Sequence, residues 1–300
     1  MQRRTAAWLL AFDILGVVVL AAVLGISWKA GQNLIHPERD HDEARPDSSV
    51  PWEWANVTTE DGVPLAGWWM PADATPQDNG TTIFLHGYGD SKSQGVPLFP
   101  VLHQLGNVYA FDFRAHGDSG GDYTTAGFLE VRDVAAAVAF VRAKLGATAP
   151  IVLLGWSMGG ATAINAASSL AVQGLVTDGA FSRLTRIVET SISAFTGLPK
   201  WPFGPLATVF AGWSVGLRLT DNAPVEAAAK WHGPTLLIEG TNDATVTPDQ
   251  VDALAAALPQ ATVWKVPGAK HVESFKTDPA GYAARLASFL PPAWAAKAAP

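Results

Sequence analysis

One serine in this chain is set up to act as a nucleophile. Gly155-Trp156-Ser157-Met158-Gly159 forms a G-x-S-x-G directly after the apolar run Ile151-Val152-Leu153-Leu154, and a small-residue helical pattern follows from Gly160 to Ala171. A serine hydroxyl attacks a carbonyl only when a base takes its proton and the backbone holds it in the open. A sharp strand-to-helix turn does the holding, and flanking glycines let neighbouring backbone come close. The pentapeptide alone is a weak signal; the strand before it and the helix after it give it weight.

The remaining parts of such a site can be sought by type and order. The serine needs an imidazole, and the imidazole needs a carboxylate to fix its tautomer and stabilise its cation. Of the seven histidines, only His271 lies beyond the last expected strand, after the glycine-bearing loop Val266-Pro267-Gly268-Ala269-Lys270. Asp243, in Gly240-Thr241-Asn242-Asp243, is the expected acid. Asp178 is the reserve, read as a cap or a buried structural carboxylate. An oxyanion hole needs two backbone donors. Met158 supplies one, and Tyr88, in the loop His86-Gly87-Tyr88-Gly89-Asp90, supplies the other. His86 and His116 read as loop braces. His36, His41, His103 and His232 have no metal-ligand spacing, so neither a metal nor a cofactor is expected.

Strands must carry these groups. Glu53–Thr59 and Leu65–Met70 read as a pair joined by the turn Glu60-Asp61-Gly62. Further short strands are expected at Thr81–Leu85, Asn107–Phe111, Ile151–Leu154, Leu175–Thr177, Thr235–Ile238 and Thr262–Val266. Helices are expected at Phe128–Leu145, after Ser157, at Val251–Leu258 and at Tyr282–Leu290. That alternation predicts an α/β fold with a mostly parallel central sheet flanked by helices. In such sheets ligands bind at the carboxyl ends of strands, where every polar motif above falls. Residues 183–231 break the rhythm; rich in aromatics and proline, they are too long for an ordinary connection and read as a helical cap insertion.

The first residues follow different physics. Ala6 to Trp28 is apolar apart from Asp13, and as a helix would span roughly 35 Å, enough to cross a hydrocarbon core. Arg3 and Arg4 precede it, which places the N-terminus in the cytoplasm and the domain outside. Residues 1–28 therefore read as a transmembrane signal anchor. The competing reading is a cleaved signal peptide with an apolar core from Ile14, which would leave the domain secreted. Residues 29–50 read as a linker, 51–290 as the domain and 291–300 as a tail. A net charge of −7 without any basic stripe gives no footing for nucleic acid. No cysteine is present, which excludes disulfides and thiolate chemistry.

Taken together, the elbow Gly155–Gly160, the His86-Gly87-Tyr88-Gly89 loop, the stretch Asp112-Phe113-Arg114-Ala115-His116-Gly117-Asp118-Ser119, Asp243 and His271 resemble an α/β-hydrolase superfamily serine hydrolase over roughly residues 52–290. The chain is most similar to the membrane-anchored, BEM46-related branch. Ala115 departs from the glycine usual at its position. The resemblance implies hydrolysis of carboxylic esters, thioesters or acyl lipids through an acyl-enzyme. Ser157 would be the nucleophile, His271 the base and Asp243 its orienting acid. A small-molecule or lipid acyl substrate and a membrane are the implied partners. A peptidase or amidase with the same triad, or a non-catalytic binding module on the same fold, are the competing readings.

Overall fold

The computed structural model describes residues 2–41, 44–73, 79–296 and 298, with the side chains of 2–7 left aside. Among the described residues the central sheet has eight strands. They are β1 (Glu53–Trp54), β4 (Gly67–Met70), β5 (Thr81–Leu85), β6 (Asn107–Phe111), β7 (Ile151–Trp156), β8 (Gly174–Asp178), β9 (Thr235–Gly240) and β10 (Thr262–Val266). Their order across the sheet is β1-β4-β6-β5-β7-β8-β9-β10. The pairs β1–β4 and β4–β6 are antiparallel, and every other pair is parallel. The expected first strand is split: Val57–Thr58 (β2) leaves the main sheet and pairs with Pro64–Leu65 (β3) as a separate ribbon.

Both faces of the inner strands β4 to β9 are covered, which is why most of them read as short apolar runs, while the edge strands β1 and β10 stay partly exposed. Along β7, Ile151 and Leu153 point into one core layer, while Val152, Leu154 and Trp156 point into the other. The first layer is closed by α3 (Glu130–Leu145), α4 (Met158–Ala167) and α8 (Pro248–Ala257). The second is closed by α2 (Phe99–Leu105), which the sequence reading did not anticipate, and by α10 (Pro279–Ala295), with Tyr282, Leu286 and Leu290 fully buried.

Residues 183–231 form helices, as expected for a cap: α5 (Leu184–Thr196), α6 (Lys200–Val215) and α7 (Pro224–Ala228). The first helix, α1 (Gln2–Ile35), departs from expectation. It runs seven residues past Trp28, and its last turns pack on α6. Gly31 makes that packing possible. A Cβ there would lie 2.6 Å from the Ala207 carbonyl oxygen and 3.0 Å from the Ala211 nitrogen, so only hydrogen lets the two backbones approach.

Residues 29–50 are therefore no free linker. Ile35 and Val50 are buried, and the Arg39 guanidinium donates to the carbonyls of Ser119 and Gly121. Lys29, Gln32 and Asn33 end the apolar pattern that marks a membrane span, but they do not end the helix. At the other end, α10 continues to Ala295 and buries Ala293, so the expected tail begins inside a helix; residues 297, 299 and 300 lie outside the described residues.

Candidate active site

The turn after β7 forces Ser157 to φ 50°, ψ −115°, a conformation that costs free energy for a residue with a side chain. Its glycine neighbours explain themselves by contact. A Cβ on Gly159 would meet the Leu85 carbonyl oxygen at 2.1 Å, and one on Gly155 would meet the Gly159 carbonyl carbon at 2.3 Å. The pentapeptide is thus a statement about how closely β7, α4 and the end of β5 pack. The Ser157 amide donates to the Asp178 carbonyl at 2.8 Å, which ties the turn to β8.

His271 comes from the loop after β10 and Asp243 from the turn after β9. The structure brings both to Ser157. His271 Nδ1 lies 2.7 Å from Asp243 Oδ2, and His271 Nε2 lies 2.8 Å from Ser157 Oγ. A carboxylate can only accept, so Nδ1 carries the proton and Nε2 is left to accept from the serine hydroxyl. Asp243 is itself held: its Oδ1 accepts from the amides of Thr245 at 2.8 Å and Val246 at 2.9 Å. Its side chain is buried, while that of His271 keeps some access to the cavity. Gly179 leaves room for the pair, since a Cβ there would press on the His271 ring at 3.2 Å.

Asp178, the reserve acid, lies beneath this relay rather than in it. It accepts from Ser274 Oγ at 2.9 Å and is fully buried. Burial pushes its carboxyl up to about 7, opposed by the Ser274 hydrogen bond.

The loop after β5 faces the serine from the other side. Gln94 Oε1 takes the Gly87 amide at 2.8 Å, which fixes the loop and occupies that donor. Among the described residues no carbonyl accepts from the amides of Tyr88 or Met158. The Tyr88 hydroxyl donates to the Asn33 carbonyl at 2.6 Å, one of the last carbonyls of α1, which have no partner within the helix. His86 is buried between two backbone groups: Nε2 accepts from Phe113 N at 2.9 Å, so Nδ1 donates to Gly87 O at 2.7 Å. Burial lowers its basicity well below the usual histidine range and keeps it neutral. Just behind, the Lys92 ammonium sits buried at 2.7 Å from Asp112 and over the Trp68 ring at 4.8 Å.

Above Ser157 opens a cavity of about 570 Å³, within the range of small-ligand sites. Its walls include Leu184, Val188, Ile192 and Phe195 of α5, and, on the opposite side, Ala30, Asn33 and Leu34 of α1. Those α1 residues carry no motif. Only the helix's continuation past Trp28 puts them at the site, which is why the sequence reading missed them.

A mostly parallel sheet with a strained strand-to-helix serine, a histidine and an aspartate at the ends of later strands is the arrangement of one large class, and residues 82–285 match the sequence profile of the alpha/beta hydrolase family. The chain belongs to that family. Among its relatives, the uncharacterized protein YqkD of Bacillus subtilis is 27% identical over 235 residues, spanning 76% of each chain. Uncharacterized protein Rv2307c of Mycobacterium tuberculosis is 28% identical over 220 residues, covering 72% of this chain and 70% of that one. Of solved structures, the Pyrococcus furiosus esterase Pf2001 superposes with a TM-score of 0.71 at 28% identity, over 86% of this chain and 98% of its own. A bacterial membrane phospholipase A shares the fold with a TM-score of 0.59 at 17% identity, over 98% of this chain and 99% of its own, a span that takes in α1.

Proposed function

We propose that this protein is a serine hydrolase that cleaves carboxylic ester, thioester or acyl-lipid bonds through an acyl-enzyme at Ser157. The observation that carries the reading is the unbroken relay from Ser157 Oγ through His271 to Asp243, at 2.8 and 2.7 Å. Ser157 Oγ attacks the carbonyl carbon as His271 Nε2 takes its proton. The amides of Tyr88 and Met158 hold the oxyanion, a role worth about 3–4 kcal/mol per donor in comparable sites. His271 returns the proton to the leaving alcohol or thiol. Water then attacks the acyl-serine, giving its proton to His271, which passes it to Ser157 Oγ as the acyl–Oγ bond breaks and the acid departs. Asp243 holds the imidazole in register and steadies its cation.

The likeness to the Pyrococcus esterase supports ester hydrolysis in general. The apolar cavity wall from α5 supports an apolar acyl group. Helix α1 is long and apolar enough to cross a membrane from Trp8 on. With Arg3 and Arg4 before it, we assign it as an anchor with a cytoplasmic N-terminus and an extracytoplasmic domain, as in a BEM46-related branch. The test is hydrolysis of short p-nitrophenyl esters by the purified protein. Ser157→Ala should lower the rate by roughly 10⁴-fold or more and abolish labelling by a fluorophosphonate probe. An unchanged rate would sink the assignment.

A further inference from the structure

The outer face of α6 is unlike that of a helix in water. From Trp201 to Leu217 the chain has no charged residue and no histidine. A solvent-facing helix keeps a polar stripe away from the core. Here Trp201 and Trp213 stand 76% and 70% exposed, and Leu206, Val209 and Phe210 are half-exposed between them. The face is continuous with α1. Trp28 meets the Phe210 ring edge-on at 5.7 Å, and Phe210 meets Trp213 at 5.4 Å.

The position of this face along α1 is informative. From Trp8 to Ile26 that helix is exposed except at half-buried Val23, and Asp13 is its one charged residue. Those residues rise roughly 28 Å, the thickness of a hydrocarbon core. Contact with the domain starts at Val23, which packs against the core cluster, and deepens at the next turn, with Ser27 buried and Trp28 against Phe210. That level corresponds to the membrane–water interface, where tryptophan side chains concentrate. Phe195 of α5, 86% exposed, stands at the rim of the cavity that α1 also walls.

We infer that the outer face of α6, with Trp201 and Trp213, lies in the interfacial layer of the bilayer that α1 crosses, and that the cavity takes its acyl substrate from that bilayer. The inference rests on the proposed anchor and hydrolase reading. Helix α1 then has two roles: it holds the domain at the surface, and it forms the wall along which an acyl chain passes from lipid to Ser157.

The full chain in phosphatidylcholine nanodiscs tests this by two readouts. The first compares p-nitrophenyl palmitate dissolved in the disc with p-nitrophenyl acetate supplied in water. Trp201→Ser combined with Trp213→Ser should slow palmitate hydrolysis about tenfold and leave acetate hydrolysis within about twofold, as loss of two interfacial aromatic anchors requires. Equal effects on the two esters, or none on either, would overturn the inference. A wild-type protein that cleaves neither ester would instead remove the hydrolase reading, and with it the substrate part.

The second readout does not depend on catalysis. Discs of brominated phosphatidylcholine should quench a share of the tryptophan emission that the Trp201→Phe, Trp213→Phe protein has lost. An unchanged quenched share overturns the membrane face. The same result together with a change of oligomeric state in the serine variant would assign that face to a second copy of the chain.

Discussion

Replacing Gly31 by alanine should loosen the domain, although alanine is the better helix former. The propensity gain is about 1 kcal/mol in a helix interior. Against it stands contact: the new methyl would sit 2.6 Å from the Ala207 carbonyl oxygen and 3.0 Å from the Ala211 nitrogen, both backbone atoms of α6. Neither can rotate away, so the helices must part, and overpacking of this kind costs about 1–3 kcal/mol. Gly25 provides the internal control. It lies on the same helix, and a methyl there would meet nothing within 4 Å. The difference between the two variants isolates the clash, and 1 kcal/mol corresponds to about 2–4 °C in Tm for a domain of this size. Thermal unfolding in detergent micelles, followed by near-UV circular dichroism, should rank Gly25→Ala at or above the wild type and Gly31→Ala several degrees below Gly25→Ala. A Gly31→Ala protein as stable as Gly25→Ala would refute the close packing of α1 on the cap.

Three further outcomes follow from polar groups held by specific partners. Tyr88→Phe removes the hydroxyl that caps the Asn33 carbonyl, a hydrogen bond worth about 1 kcal/mol, so short-ester turnover should fall about fivefold while fluorophosphonate labelling of Ser157 persists. An unchanged kcat would show that the oxyanion loop does not depend on α1. Lys92→Met strands the fully buried Asp112 carboxylate without its cation and should cost about 3–5 kcal/mol in urea unfolding; a loss below about 1 kcal/mol would contradict the buried pairing. Asp178 has a folded-state pKa raised to about 7, so its contribution to stability is full below the unfolded value near 4 and is lost as pH rises through 7. Asp178→Asn should therefore gain stability relative to the wild type between pH 4 and 7, by up to a few kcal/mol, and a difference that is flat with pH would exclude the raised pKa.

The parts of the site that lie in local pattern were readable from the sequence. Ser157 was visible because a strand, a tight turn and a helix leave their marks within a few residues. His271 and Asp243 were reachable because they follow strands in a known order, and the structure places both within hydrogen-bond reach of their neighbours in the relay. What the sequence concealed depends on distant packing. The apolar pattern of α1 ends at Trp28 because its later turns pack on α6; the backbone has no reason to stop. Helix α2 is short, and its buried Phe99 and Leu102 are interrupted by Pro100 and His103, too few positions to establish a period. Gln94 carries no catalytic signature, yet it fixes the Gly87 amide from seven residues away.

Helix α1 enters the domain with no break between its exposed apolar turns and its packed ones, and its one glycine at the junction is wedged against α6. A flexible tether would let a catalytic domain tumble above a surface and sample targets at many heights. A rigid strut removes that freedom. It sets one tilt and one distance for Ser157 relative to the apolar turns of α1, and under the proposed anchor and hydrolase reading reach becomes a selection rule: a bond is available only when it arrives at that height. Lengthening the chain between Ile35 and the sheet would leave that rule intact, whereas a swivel inserted near Gly31 would abolish it.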